Sequence, residues 1–142
     1  MSDTLVPEAL VDAYRQTCFK VFAEPESFSL RIDRQSPELA ALLAQNGAEY
    51  AAFITAENPA SIPTSVDENA RRQLALRAEL EAIGALVIPG EGQGTDPAWA
   101  PEASWLAIGI TRVQACALGA AHGQNAIVCI GADAVPELVL LR

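Results

Sequence analysis

The sequence predicts an α/β protein, with α+β as the alternative class: a single mixed β-sheet with about three to four helices packed on it. Three observations predict this. Segments with strand-like alternation and segments with helical punctuation follow one another in the order α-β-β-α-β-α-β-β-α-β-β. Each longer helical segment carries its own start and stop residues. At 51% hydrophobic and 19% charged, the chain has a globular composition, not a disordered one. Its 142 residues suit one domain spanning 1–142. A domain of this size buries roughly 70% of the surface its unfolded chain exposes, so it needs no disulfide or metal to fold.

The elements follow in order. Pro7 sits where a first helical turn tolerates it, and "PEALVDAYR" makes a short helix. "TCFKVFA" and "FSLRID" alternate as strands around the turn-like "EPES" and form a hairpin. "SPELAALLAQNG" has Ser36 as N-cap, Pro37 at the first helical position and Gly47 after the last turn. "EYAAFIT", over 49–55, is almost wholly apolar, as expected of a strand covered on both faces. Ser65 and Glu68 have the spacing of a capping box that opens a helix over 66–83, and Gly84 closes it. "ALVIP" is a strand, "GEGQGTDPAWAPE" a long Gly/Pro loop and "SWLAIGI" another strand. Thr111 and Gln114 form a second capping box, opening a helix that Gly123 ends. "AIVCIG" and "ELVLLR" finish as a hairpin around "ADAVP". Strand-helix-strand units imply parallel neighbours joined by right-handed crossovers, and the hairpins add antiparallel members.

Charge and cysteine usage exclude several functions. The formal charge of −9 and the lack of a Lys/Arg cluster argue against nucleic-acid binding. Arg71, Arg72 and Arg77 are interleaved with Glu68, Glu79 and Glu81, which describes a helix laced with ion pairs. Three cysteines without a C-x-x-C, and the single His122, do not make a zinc site, and no cofactor motif is present. The start "MSDTLVPEAL" has no basic segment followed by an apolar core, and no apolar stretch approaches the ~20 residues of a membrane helix. The expectation is a cytoplasmic protein with reduced thiols and no membrane contact.

The junction between strand 49–55 and helix 66–83 is the candidate site. With Leu76 at zero on a helical wheel, Leu80 and Ile83 fall within about 40° and define a buried stripe. Extended toward the N-terminus, the stripe meets Asn69 and Arg72, also within about 40°. Burying an amide and a guanidinium costs several kcal/mol unless each finds partners. The strand delivers Thr55, Glu57 and Asn58 to the same place, and ligands of open α/β sheets commonly bind at such junctions. A turn at Asn58-Pro59, a cap at Ser65 and an i,i+4 pair between Glu68 and Arg72 account for about half of these polar residues without a ligand. They leave Asn69 and Arg72 unexplained.

Other positions weigh less. "PGEGQG" is neither a Walker loop nor G-x-G-x-x-G, and fits a mobile loop over a pocket better than a phosphate cradle. Trp99 within that loop is a hydrophobic latch or a cover for a ligand. His122 caps a helix C-terminus. Glu102 and Ser104 flank the start of a strand, where a solvated strand-end Glu is commoner than a general acid or base; Gln124 and Asn125 lie at a helix-to-strand junction, where they either satisfy the turn or face whatever Asn69 and Arg72 face. No nucleophile elbow is present.

"FITAENP", "S..EN..RQ..L...L...G", "PGEG", "PEASWL" and "GQNAIV", in that order and spacing, together resemble the bacterial family known as domain of unknown function 3293. The resemblance runs roughly from "AYRQT" to "PELV". The family pattern usually has Trp at the position of Glu57, and this chain departs from it there. The resemblance implies a small bacterial protein with these polar motifs as its signature, and implies no chemistry. The signature falls on Thr55, Asn58, Pro59, Glu68, Asn69, Arg72, Gly90, Glu102, Ser104, Gln124 and Asn125.

Two functions from different classes follow. The first is a pocket for a small anionic or polar metabolite, bound by Thr55, Asn58, Asn69, Arg72, Ser104, Gln124 and Asn125. In it Arg72 clamps a carboxylate or phosphate, and Glu68 and Glu102 are the proton-transfer candidates. The alternative is a non-catalytic acidic protein-interaction module, motivated by the charge of −9.

Overall fold

A computed structural model describes residues 4–96 and 100–142. The elements come in the expected order: α1 (Glu8–Arg15), β1 (Cys18–Val21), β2 (Phe28–Leu30), α2 (Pro37–Gln45), β3 (Ala51–Ile54), α3 (Val66–Ala82), β4 (Leu86–Gln93), β5 (Glu102–Ile108), α4 (Arg112–Ala121), β6 (Ala126–Ile130) and β7 (Pro136–Leu140). A 3-10 turn, Pro59–Ser61, separates β3 from α3. No helix among the described residues is long and apolar enough to cross a membrane.

The strands form one seven-stranded sheet in the order β2-β1-β4-β5-β3-β6-β7, with helices packed on it, as the α/β expectation holds. Every pair of neighbours is antiparallel, so the parallel neighbours inferred from the strand-helix-strand units do not occur. The reason is a one-strand gap. The crossover through α3 joins β3 to β4, which run parallel, but β5 lies between them. The crossover through α4 joins β5 to β6, again parallel, with β3 between them. Each unit inserts a strand into the gap of the other, and both insertions are antiparallel.

Strand alternation divides the core between two faces. On one face Phe19, Val21, Phe53, Leu106 and Val128 pack with Leu39 and Leu43 of α2. On the other, Ala52, Ile54, Ala107 and Ile127 pack with Leu76 and Leu80 of α3 and Ala115 of α4. Burying each such Leu stabilises the fold by about 1.5–3 kcal/mol. All four residues of β3 are buried, which is why its sequence is apolar without alternation. Helix α1 differs: none of its residues is buried. It spans the end of the first face that α2 leaves uncovered.

The first part of the glycine-rich stretch, Gly90–Gln93, is strand and not the loop expected. β4 runs on through Gln93, pairing with β5 over its length and with β1 at Gly90–Gln93. Gly90 is there for close approach, since a Cβ would stand 2.3 Å from Lys20 O and 2.9 Å from the Phe53 ring. Phe19 and Phe53 meet edge to face above this strand, with centroids 5.2 Å apart.

Candidate functional site

Between α1 and the sheet lies a cavity of about 450 Å³. Its floor is apolar: Phe19, Phe53, Val128 and Leu138, with Leu10 facing them from α1. Gly92, Gly94, Thr95 and Asp96 bound it at the end of β4. Its polar walls come from the ends of three adjacent strands. Thr55 follows β3, Glu102 and Ser104 begin β5, and Gln124 and Asn125 precede β6.

The Glu102 wall is built by a chain of amides. The backbone N–H of Asn58 donates to Asn69 Oδ1 at 3.0 Å, which fixes the orientation of Asn69. Asn69 Nδ2 and the backbone N–H of Thr64 then donate to Asn58 Oδ1 at 3.0 and 2.9 Å. With its oxygen so held, Asn58 turns its NH₂ toward Glu102 and donates to Oε2 at 2.8 Å. Burial pushes the Glu102 carboxyl above its usual range, partly offset by this hydrogen bond. Glu57 is raised too, by burial first and then by the charge of Glu102, against a lowering hydrogen bond from the backbone of Ala103.

The loop that carries Asn58 holds a conformation its residues rarely adopt. Asn58, Ala60 and Ser61 have φ of 45°, 56° and 60°. Hydrogen bonds from outside the loop fix it: Ala60 N–H donates to Gly123 O at 2.8 Å, and Gln124 Nε2 donates to Glu57 O at 3.0 Å. Behind it, buried Gln73 accepts from Ala56 N–H at 2.6 Å and donates to Ala103 O at 2.9 Å, tying the exit of β3 to β5. Thr55 Oγ1 donates to the same Ala103 O at 2.7 Å.

The opposite wall is a cluster of hydroxyls and an amide. Tyr14 on α1 and Ser61 bring their oxygens within 2.6 Å of each other. Asn125 Nδ2 donates to both, at 3.2 and 3.3 Å. Ser104 Oγ, near the Glu102 wall, donates to Glu102 O at 3.2 Å.

The expected residues therefore separate into two groups. Thr55, Asn58, Glu102, Ser104, Gln124 and Asn125 line the cavity together, while Asn69 stands one layer behind Asn58. Arg72 and Glu68 do not line it. Arg72 Nε is buried and lies 3.1 Å from Glu68 Oε1, and Arg71 binds the same carboxylate. These arginines, Arg71 foremost, hold the Glu68 carboxyl below its usual range. The buried stripe of α3 is rotated from the expected one. The buried residues of α3 are Gln73, Leu76 and Leu80, and Ile83 is exposed. On the same wheel Gln73 lies about 60° from Leu76 on the Leu80 side, so the stripe is centred there and Arg72 falls at its edge.

Gln73 was thus within reach of the sequence. Tyr14 and Ser61 were not, because nothing local says that α1 and the 59–61 turn meet. His122 ends α4 as expected, but its buried ring is bonded to Glu79 Oε2 at 3.1 Å, joining α4 to α3. Trp99 lies outside the described residues. All three cysteines are free thiols, and burial pushes that of Cys129 up to about 12. Among the described residues no three His, Cys, Asp or Glu side chains gather as a metal site.

No curated protein and no solved structure matches the chain. A family model does, over residues 54–127, a little more than half of the 142 residues and the stretch that runs from the end of β3 to the start of β6. That stretch holds Asn58, Glu102, Gln124 and Asn125, while Tyr14 lies outside it. The chain belongs to the family described as protein of unknown function (DUF3293).

Proposed function

We propose that the cavity beneath α1 binds a small ligand that donates hydrogen bonds, neutral or cationic, and that Glu102 is its anchor. One observation carries this reading: Glu102 meets a cavity whose described lining holds a second acid, Asp96, and no Lys or Arg. A carboxylate whose ionised form is disfavoured by burial gains most from an N–H or ammonium partner. The apolar floor suits a ligand with a hydrocarbon portion, and 450 Å³ lies in the range of small-molecule sites. An anionic ligand has less support, because Arg72 is committed to Glu68 and would leave the anion without a counter-charge.

A thermal-shift screen tests the proposal, with amines, amino sugars and nucleosides set against phosphosugars and nucleotides. Donor-rich neutral or cationic compounds are expected to raise Tm, and Glu102→Gln to remove that rise. Arg72→Ala is expected to keep the rise and to cost about 1 kcal/mol of stability, as for a half-exposed ion pair. Stabilisation by the anions alone, or a full shift in Glu102→Gln, would overturn the reading.

A further inference from the structure

The wall across β3 from Glu102 makes a second demand on a ligand, and the inference drawn from it rests on the binding-site reading above. Asn125 Nδ2 shares one hydrogen between Tyr14 Oη at 3.2 Å and Ser61 Oγ at 3.3 Å, since those oxygens are themselves only 2.6 Å apart. Between two hydroxyls at that distance one hydrogen lies between the oxygens. The other hydroxyl keeps a hydrogen for which the described residues supply no acceptor. Turning the Asn125 amide over changes the carrier and not the outcome. The hydroxyls then donate in series to Oδ1, and the amide NH₂ is the group left to donate. In both arrangements an uncharged hydrogen-bond donor borders the cavity.

The two walls are set apart by the sheet. β5 and β6 lie on either side of β3, so Glu102 and Asn125 stand two strand spacings apart, about 9–10 Å. The ring of Phe53 lies on the strand between them.

We infer that the ligand is bifunctional. It carries an amine or other N–H donor for Glu102 and, beyond a short apolar linker, an uncharged oxygen acceptor for the Tyr14–Ser61–Asn125 cluster. An amide carbonyl or a hydroxyl meets the second requirement. A carboxylate there is a poorer fit, since no Lys or Arg among the described lining residues would balance its charge.

Calorimetric titration of the full chain with three probes of one chain length tests this: hexylamine, 6-aminohexanamide and 6-aminohexanoate. The amide is expected to bind about threefold to tenfold tighter than the plain amine, as one neutral hydrogen bond allows, and tighter than the acid. Asn125→Asp offers both hydroxyls an acceptor and leaves no donor, so the advantage of the amide over the amine should vanish there. Tyr14→Phe leaves the Ser61 hydrogen in place, so the advantage should persist. Equal affinity for amine and amide in the wild type, tightest binding of the acid, or an amide advantage kept by a folded Asn125→Asp would each overturn the inference. If Asn125→Asp does not fold, the wild-type comparison decides alone. Amines that bind without discrimination would remove this inference and leave the anchor at Glu102 standing; failure of every amine to bind would remove both.

Discussion

Glu57 and Glu102 keep their protons to higher pH than ordinary carboxyls, chiefly because folding takes both out of water. Above the usual value of 4.5, the folded chain therefore holds protons that the unfolded chain has released. Their contribution to stability is full below that value and is lost as pH rises through the raised folded values. Urea titrations at pH 4.5 and 7 check this. The wild type should lose more stability over that interval than Glu102→Gln, which should be no less stable than wild type at pH 7. Equal losses would refute the assignment. Gln73 presents the opposite case, a buried amide whose two shortest hydrogen bonds are to backbone groups. Gln73→Ala leaves Ala56 N–H and Ala103 O without it, and should cost about 2–4 kcal/mol by denaturant unfolding. At this scale, burial cost is what made the site legible: polar residues on an apolar stripe must have partners. The identity of those partners was not legible. Arg72 found Glu68 one turn away, whereas Asn69 found Asn58 across the loop.

The helices were legible because their ends are written in neighbouring residues. The two S/T-x-x-E/Q signals nevertheless differ in the fold. At α4, Thr111 Oγ1 accepts from Gln114 N–H at 3.2 Å and Gln114 Oε1 accepts from Thr111 N–H at 2.9 Å, a closed box. At α3, Ser65 accepts from Glu68 N–H at 3.2 Å, but the Glu68 carboxylate goes to Arg71 and Arg72 instead. Thr111→Ala should accordingly cost about 1 kcal/mol, with Gln114→Ala losing part of the same energy, so that the double variant is less than additive. Fully additive losses in a thermal-melt cycle would show that the two bonds are independent. The end of β4, Gly90–Gln93, which reads as loop in the sequence, shows where local signals fail. Glycine marks looseness in isolation, yet Gly90 is fixed between Lys20 O and Phe53, neither of which is near it in sequence.

Across the whole molecule, the order of elements was legible and the pairing of strands was not. Periodicity and punctuation are local, but which strand occupies the gap between β3 and β4 is decided by β5, which comes later in the chain. The same interleaving assembles the cavity, since it places the exits and starts of β3, β5 and β6 side by side and so brings Thr55, Glu102 and Asn125 to one edge. A site spread over three strands and a helix has no linear motif. Its signature could be recognised in the sequence only as separate short polar stretches.

Helix α1 forms the roof of the cavity while burying no residue of its own. Its release would bare the apolar floor of the cavity but withdraw no buried side chain of the helix from either sheet core, so among the four helices it is the one that opens at least cost. For a ligand of the kind proposed above, the way in would then be a gate with its own clock. Stopped-flow association should level off at high ligand concentration, at the opening rate of α1, instead of rising without limit. The amides of Glu8–Arg15 should exchange with deuterium well before those of Ala51–Ile54 at the centre of the sheet. Linear association kinetics together with equal protection of the two segments would show that the roof does not move.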